Sequence, residues 1–461
     1  MSHNSLFPEF EQYSPQEWEQ AIDGQLRGKR LDDFRSATAD DLTIEPYYHP
    51  PKERPGAQPP KEHPRWDLCE EILVEDEKQA NAKALDALQK GASSLIFYLE
   101  GPPDFDILLE DIELPYICSN FVTDRRPGEL ARALSQFCLK QGYDHHELEG
   151  SVNFDPLENL LRTGDWFESE SSDFEAMARS LEEAPKGMRK LCVNANLLNN
   201  AGASPVQELG SALAMAYEYY HRLQPKDLRD FWLNFAIGSQ YFEEIAKFRA
   251  MRRLWKKLQE TLNLPFTELR LYAENSLRNK SYLDKHNNMI RSTAEAMAAV
   301  IGGVNELNVK AFDELQGGEA SAFARRIARN QSSILQFESY FQQTRDMGGG
   351  SYFIEELTEK MAAAGWEFFK AIEAQGGFLT AIQNDWLQKQ LSQQAAASQK
   401  AFDQGELVLI GVNKFRPDQF EIPALSEAKE RPAKAVKPLM VKRLAEDLER
   451  QLKAEAKNSH A

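Results

Sequence analysis

Residues 235–259 read FAIGSQYFEEIAKFRAMRRLWKKLQ. Phe242, Ile245, Phe248, Met251, Trp255 and Leu258 recur at spacings of three and four, which gathers them on one face of a helix. Helices of the same kind are expected at DEKQANAKALDALQKG (76–91), ALAMAYEYYHRL (212–223) and IRSTAEAMAAVIGG (290–303). Between them lie short apolar runs that read as strands: SSLIFYLEG (93–101), PYICSNFV (115–122), KLCVNA (190–195), ELRLYAEN (268–275) and LVLIGVNKF (407–415). Strands alternating with helices over this length predict a parallel α/β architecture. Periodicity alone leaves two forms open, a closed barrel and an open doubly wound sheet.

Working outward, residues 1–64 read as an extended arm. SPQEWEQAIDGQL (14–26) is a helix with Ser14 as N-cap and Glu17 completing a capping box. Six prolines between Tyr47 and Pro64 exclude helix there and predict a segment laid along a surface. At the other end, residues 426–461 are charged and helical, with Met440, Val441, Leu444, Leu448 and Leu452 as a narrow stripe. The expected division is an arm (1–64), an α/β body (65–425) and a C-terminal helical segment (426–461).

A chain of 461 residues, 42% hydrophobic, can bury a large core. Its net charge of -18 argues against nucleic acid and anionic membranes as partners. The four cysteines (Cys69, Cys118, Cys138, Cys192) form no CxxC pair, which favours reduced, buried thiols over disulfides or a zinc site. The opening residues carry no secretory pattern, and no apolar run reaches membrane-spanning length. A soluble cytoplasmic protein is the expectation.

The polar stretch CVNANLLNNAGASPVQELG (192–210) sits between a strand and a helix, where α/β proteins place their chemistry. Its asparagines (Asn194, Asn196, Asn199, Asn200) do not titrate near neutral pH. DMGGGSYF (346–353) lacks the glycine spacing of a phosphate cradle and reads as a tight turn. DHHELEG (144–150) approaches the Asp-x-His-x-x-Gly signature of cobalt-ligating histidines, but its glycine falls one residue late, and it reads as an ordinary charged loop. Neither GxSxG nor HExxH occurs. The residues alone describe a large α/β protein with no visible catalytic apparatus.

Four segments carry a resemblance. They are NNAGASPVQELGSALAMAYEY (199–219), NFAIGSQYFEEIAKFRAMRRLW (234–255), AEAMAAVIGGVNELNVKAFDE (294–314), and FARRIARNQSSILQFES (323–339) with GGSYFIEELT (349–358) after it. In order and spacing they resemble the methylmalonyl-CoA mutase family. That resemblance implies a (β/α)8 TIM barrel with an extended N-terminal arm, and an acyl-CoA threading the barrel axis. It also implies a flavodoxin-like cobalamin domain facing the barrel mouth in catalytic members. Such a domain is expected to be absent here. The family's thioester-polarising histidine falls on Leu197 and the tyrosine before it on Asn196. The glutamate near the adenosyl group falls on Asn200, and the tyrosine over the substrate falls near Glu71, within WDLCEEILV (66–74). Other altered segments are GGVNELNVK (302–310), RNKSYLDKHNN (278–288) and RDFW (229–232).

Catalytic, cofactor-binding and metal-binding residues are therefore expected to be lacking in this chain. The resemblance implies a non-catalytic subunit paired with a homologous catalytic large subunit that carries the adenosylcobalamin. Two alternatives stay open. One is a stand-alone acyl-CoA-binding or regulatory barrel. The other is an active acyl-CoA mutase barrel served by a separate cobalamin subunit.

Overall fold

A computed structural model describes residues 13–50, 64–316, 319–420 and 435–459. Eight parallel strands form its centre: β1 (Asp67–Leu73), β2 (Ser94–Leu99), β3 (Cys118–Thr123), β4 (Glu149–Asn153), β5 (Leu191–Asn194), β6 (Phe231–Ile237), β7 (Arg270–Asn275) and β8 (Glu306–Asn308). Neighbours in sequence pair in space, and β8 returns to β1 with Glu306 opposite Asp67. A bridge from Ser151 to Arg189, just ahead of β5, joins β4 to β5. The sheet is thus rolled into a barrel wrapped by helices, the TIM-barrel form. At Gly150 (φ 129°) a Cβ would lie 1.8 Å from the Ser119 carbonyl oxygen, so only glycine allows β4 so close to β3 there.

Alternation along the strands decides what lies where. Cross-strand partners share a face. Leu95, Phe97, Phe121, Val152, Leu233, Phe235, Leu271 and Leu307 face outward and are buried under the helices. The helix Tyr241–Thr261 covers those of β6 to β8 as its apolar face foretold, with Ile245, Phe248, Met251, Trp255 and Leu258 buried and Phe248 edge-on to Phe235. Phe242 departs from that face. It is 52% exposed and meets Tyr241 and Phe353 edge-on.

Four of the expected strands are present, and the fifth is not. Residues 407–415 form a turn with a single isolated bridge from Ile410 to Lys414. Gly411 takes φ 78°, and the Asn413 side chain accepts from Leu409 N while donating to the carbonyls of Phe402 and Leu407. Those local bonds replace a ladder. The C-terminal stripe also differs. The helix starts only at Glu446, and Met440 and Val441 point to solvent. Leu444 is buried, with Leu448 and Leu452 packed beside it. Residues 436–449 lie on the barrel's own loops. Val436 N donates to the Gly164 carbonyl, Leu439 N to that of Leu161 and Leu444 N to that of Arg278. Buried Glu449 accepts from Ser281 Oγ and Tyr282 N and pairs with Arg443.

The arm is partly part of the body. Its helix Pro15–Gln25 has the expected Ser14–Glu17 capping box and buries no residue, while Trp18 packs on Tyr47 and meets His49 edge-on. Thr38 is buried, and Asp40 accepts from Ser204 Oγ and Val206 N at the start of the helix Pro205–Leu223. Tyr48 packs on Phe353. Of the proline-rich stretch, residues 51–63 lie outside the described residues. DMGGGSYF is the expected tight turn, with Gly350 at φ 83° and Ser351 capping the helix Tyr352–Glu373.

Candidate functional site: the barrel interior and its mouth

Many of the inward strand positions are polar, and the inward residues fall into layers. At the N-terminal ends of the strands, Glu306 accepts from Ser94 Oγ (3.0 Å), Asn120 Nδ2 (2.8 Å), Trp232 Nε1 (3.2 Å) and Arg270 Nε (3.0 Å). The two Nη atoms of Arg270 reach Asp67 (2.9 Å) and Glu149 (2.7 Å). Burial works to raise the Glu306 carboxyl, but Arg270 and the Asn120 hydrogen bond outweigh it and hold the group below its ordinary value. Asp67 goes the other way, pushed up to about 6 chiefly by burial.

Above this floor, Trp232 and Tyr272 fill the axis with ring centroids 4.8 Å apart. Both are 0% exposed, and Cys69, Ile96 and Cys192 pack around them. Burial pushes these thiols well above their usual range, as expected of inert core cysteines. All four cysteines are free and buried.

The C-terminal ends of the strands open into two adjoining cavities of 1080 and 620 Å³ that share Leu73, Glu75, Tyr98 and Lys310. Lys310, just past β8, lies 2.6 Å from Glu71, 3.3 Å from Glu274 and 3.8 Å from Glu314. Burial would lower the ammonium, but Glu274 and Glu71 override it and raise it well above its ordinary value, so it stays a fixed cation. Tyr98 Oη donates to Glu71 (2.9 Å), and Asn196 Nδ2 donates to Glu274 (2.6 Å). On the opposite wall Asn153 and Asn194 pair through their amides at 3.2 Å, and Asn194 N donates to buried Asp155 (2.7 Å), which Tyr219 also reaches. Glu158 and Glu314, both pushed to about 7 mainly by burial, border this end.

The residues singled out from the sequence separate here. Glu71 and Asn196 face the mouth. Leu197 is 6% exposed and belongs to the main apolar core. Asn200 Oδ1 accepts from Leu277 N (2.9 Å) and Ser276 Oγ (3.2 Å), and Asn199 also accepts from Ser276. The asparagine cluster therefore braces the loop after β5 against the loop after β7. Sequence reasoning missed Arg270, Glu274, Glu306, Lys310, Trp232, Asn234 and Asn308. A period-two polar signal was available in ELRLYAEN, where Arg270, Tyr272 and Glu274 alternate with Leu271 and Ala273.

Chemically, the mouth fixes charge: Lys310 is locked between carboxylates. Among the described residues lining the two cavities there is no histidine. His145 and His146 precede β4, at the opposite end of the barrel.

Comparison with known proteins adds the lineage. Residues 98–460 match the family described as Methylmalonyl-CoA mutase. The chain belongs to the methylmalonyl-CoA mutase family. It is similar to the methylmalonyl-CoA mutase small subunit of Porphyromonas gingivalis, with 33% identity over 89% of this chain and 71% of the relative. It is similar to the small subunit of the Streptomyces virginiae enzyme, with 30% identity over 96% of this chain and 76% of the relative. The methylmalonyl-CoA mutase of Rhizobium meliloti is 32% identical over 69% of this chain, which spans 46% of that relative. Of the four segments quoted above, the first crosses from the β5 loop into the helix Pro205–Leu223, the second runs from β6 into Tyr241–Thr261, and the third contains β8.

Proposed function

We propose that this chain is the small, non-catalytic subunit of an adenosylcobalamin-dependent methylmalonyl-CoA mutase, supporting a homologous catalytic large subunit. The observation that carries this reading is the filled axis. A substrate threaded along a barrel needs an open bore, and here Trp232 and Tyr272 are packed across it above the Arg270–Glu306 pair. The closeness to relatives named as small subunits supports the same reading. With the axis occupied, this barrel has a structural role, and the rearrangement belongs to the partner.

The test is a turnover assay on the purified chain with adenosylcobalamin and methylmalonyl-CoA. No succinyl-CoA above a no-enzyme control is expected. Co-expression with the homologous large chain should give a single complex on size-exclusion chromatography. Turnover by this chain alone, or failure to co-elute, would overturn the proposal.

A further inference from the structure

We infer that two copies of this chain pair through the exposed face of the helix Ala322–Ser333 and the π turn Ile334–Glu338 that continues it, antiparallel about Asn330. Phe323, Ile334 and Phe337 are 61%, 45% and 60% exposed on that face. Ile327 is half-buried beside them, and Asn330 is exposed. The opposite side, with Ala324, Ala328, Gln331, Ser332 and Leu335, is buried against the body. Ile290, 63% exposed, extends the apolar surface from the neighbouring helix Lys285–Gly302. It lies one turn from His286, whose ring meets Phe312 beside Phe323, and one turn from Thr293, which Gln331 reaches. Together these side chains leave roughly 400 Å² of apolar surface uncovered, the size of patch that marks an interaction site.

The order of residues selects the occupant. Along the face the chain runs Phe323, Ile327, Asn330, Ile334, Phe337, which reads the same from either end, with the phenylalanines seven residues to each side of Asn330. An interface on a two-fold axis needs one patch that complements itself. Antiparallel pairing sets Phe323 against Phe337 of the second copy, and Ile327 against its Ile334. The two Asn330 amides then meet at the axis, each donating and accepting as Asn153 and Asn194 do within the chain. An asparagine on such a seam fixes its register. Charge agrees. Arg326 and Glu338 are exposed and have no partner among the described residues. Antiparallel pairing brings each Arg326 within one helical turn of the second copy's Glu338, about 6 Å along the axis and inside the reach of an arginine. Parallel pairing would set Arg326 against its own copy, a like-charge arrangement. The net charge of -18 opposes self-association elsewhere, but residues 320–337 hold no acidic side chain. A stable interface buries about 800 Å² per partner, so an apolar centre of this size fits a dimer of micromolar affinity.

This inference concerns the chain by itself and stands or falls independently of the subunit reading. Analytical ultracentrifugation of the purified full chain, from about 1 to 200 µM, tests it. A monomer–dimer equilibrium with a Kd on the order of 10 µM is expected. Phe337→Glu should weaken it about tenfold or more. Arg326→Glu should also weaken it, and adding Glu338→Arg to that variant should restore it, because the pair is then exchanged rather than lost. These side chains are exposed, so the variants should keep their fold. Circular dichroism checks this, and Ile334→Glu serves if Phe337→Glu unfolds. The inference is overturned if the chain stays monomeric throughout, if Phe337→Glu dimerises like the parent, or if the exchanged pair fails to restore dimerisation. A monomeric parent whose Phe337→Glu variant loses the large subunit would assign this face to that partner, and would overturn the inference too.

Discussion

The two ends of the barrel interior use the same kinds of residue to opposite effect. At the floor, one carboxylate (Glu306) takes four donors, and one guanidinium (Arg270) reaches three carboxylates. At the mouth, an ammonium (Lys310) is shared by three carboxylates around open cavities, and amide groups nearby go unmet. Charge inside a barrel can therefore close it or sit around open space. The outcome turns on whether the charged groups are met by donors and acceptors packed across the axis, as Glu306 is. The Glu306 carboxyl is held below its ordinary value, while Glu158 and Glu314 at the mouth are pushed up to about 7.

The sharpest way to break the comparison is at the floor. Glu306→Leu leaves Arg270 buried beside weaker partners and strips the acceptor from Ser94, Asn120 and Trp232. A loss of about 3–5 kcal/mol in urea unfolding is expected. A loss under about 1 kcal/mol would show that the floor is no anchor.

A pH series then probes the mouth. Glu158 and Glu314 have folded-state values near 7 against an ordinary 4.5, so they bind protons more tightly when folded. Their contribution is fully present below pH 4.5 and is lost as pH rises through about 7. Stability should fall by on the order of 2 kcal/mol across that window, with Glu314 discounted for its partial exposure. The double variant Glu158→Gln, Glu314→Gln should flatten the slope, and an unchanged slope would remove the mouth carboxylates from the account.

Smaller effects are expected outside the barrel interior. Asp40→Ala removes an acceptor for Ser204 Oγ and Val206 N and should cost about 1 kcal/mol. Deleting residues 1–35 spares that contact, so the truncated chain should keep the stability of the parent while binding the large subunit less tightly. Undiminished co-elution on size-exclusion chromatography would show that the helix Pro15–Gln25 is no clasp. Least of all should follow from Leu197→His in a turnover assay. Its position lies in the apolar core, so no activity is expected to appear.

Much of the fold was legible in residue pattern. The helix Tyr241–Thr261 and the strands at 93–101, 115–122, 190–195 and 268–275 announce themselves by period. The strands β1, β4, β6 and β8 went unread. Each mixes outward apolar residues with inward polar or charged ones, such as Asp67 and Glu71, Ser151 and Asn153, Asn234, and Glu306 and Asn308. Such a mixture looks like a loop until a closed barrel gives the polar side an inside. Conversely, 407–415 looked like a strand because its apolar content says nothing about the local bonds of Asn413.

The sequence by itself determined the alternation of strand and helix, the capping of the arm helix, the reduced cysteines and the family, because these depend on local spacing and on matched segments. Only the tertiary structure decided that Trp232 and Tyr272 meet across the axis, and that Arg270 and Glu306 pair beneath them. It also decided that Leu197 turns into the core while Asn196 faces the mouth. The physical reason is that a barrel interior is assembled from residues far apart in the chain. Whether a buried charge or amide finds its partner there depends on strand register and closure, which no local pattern contains.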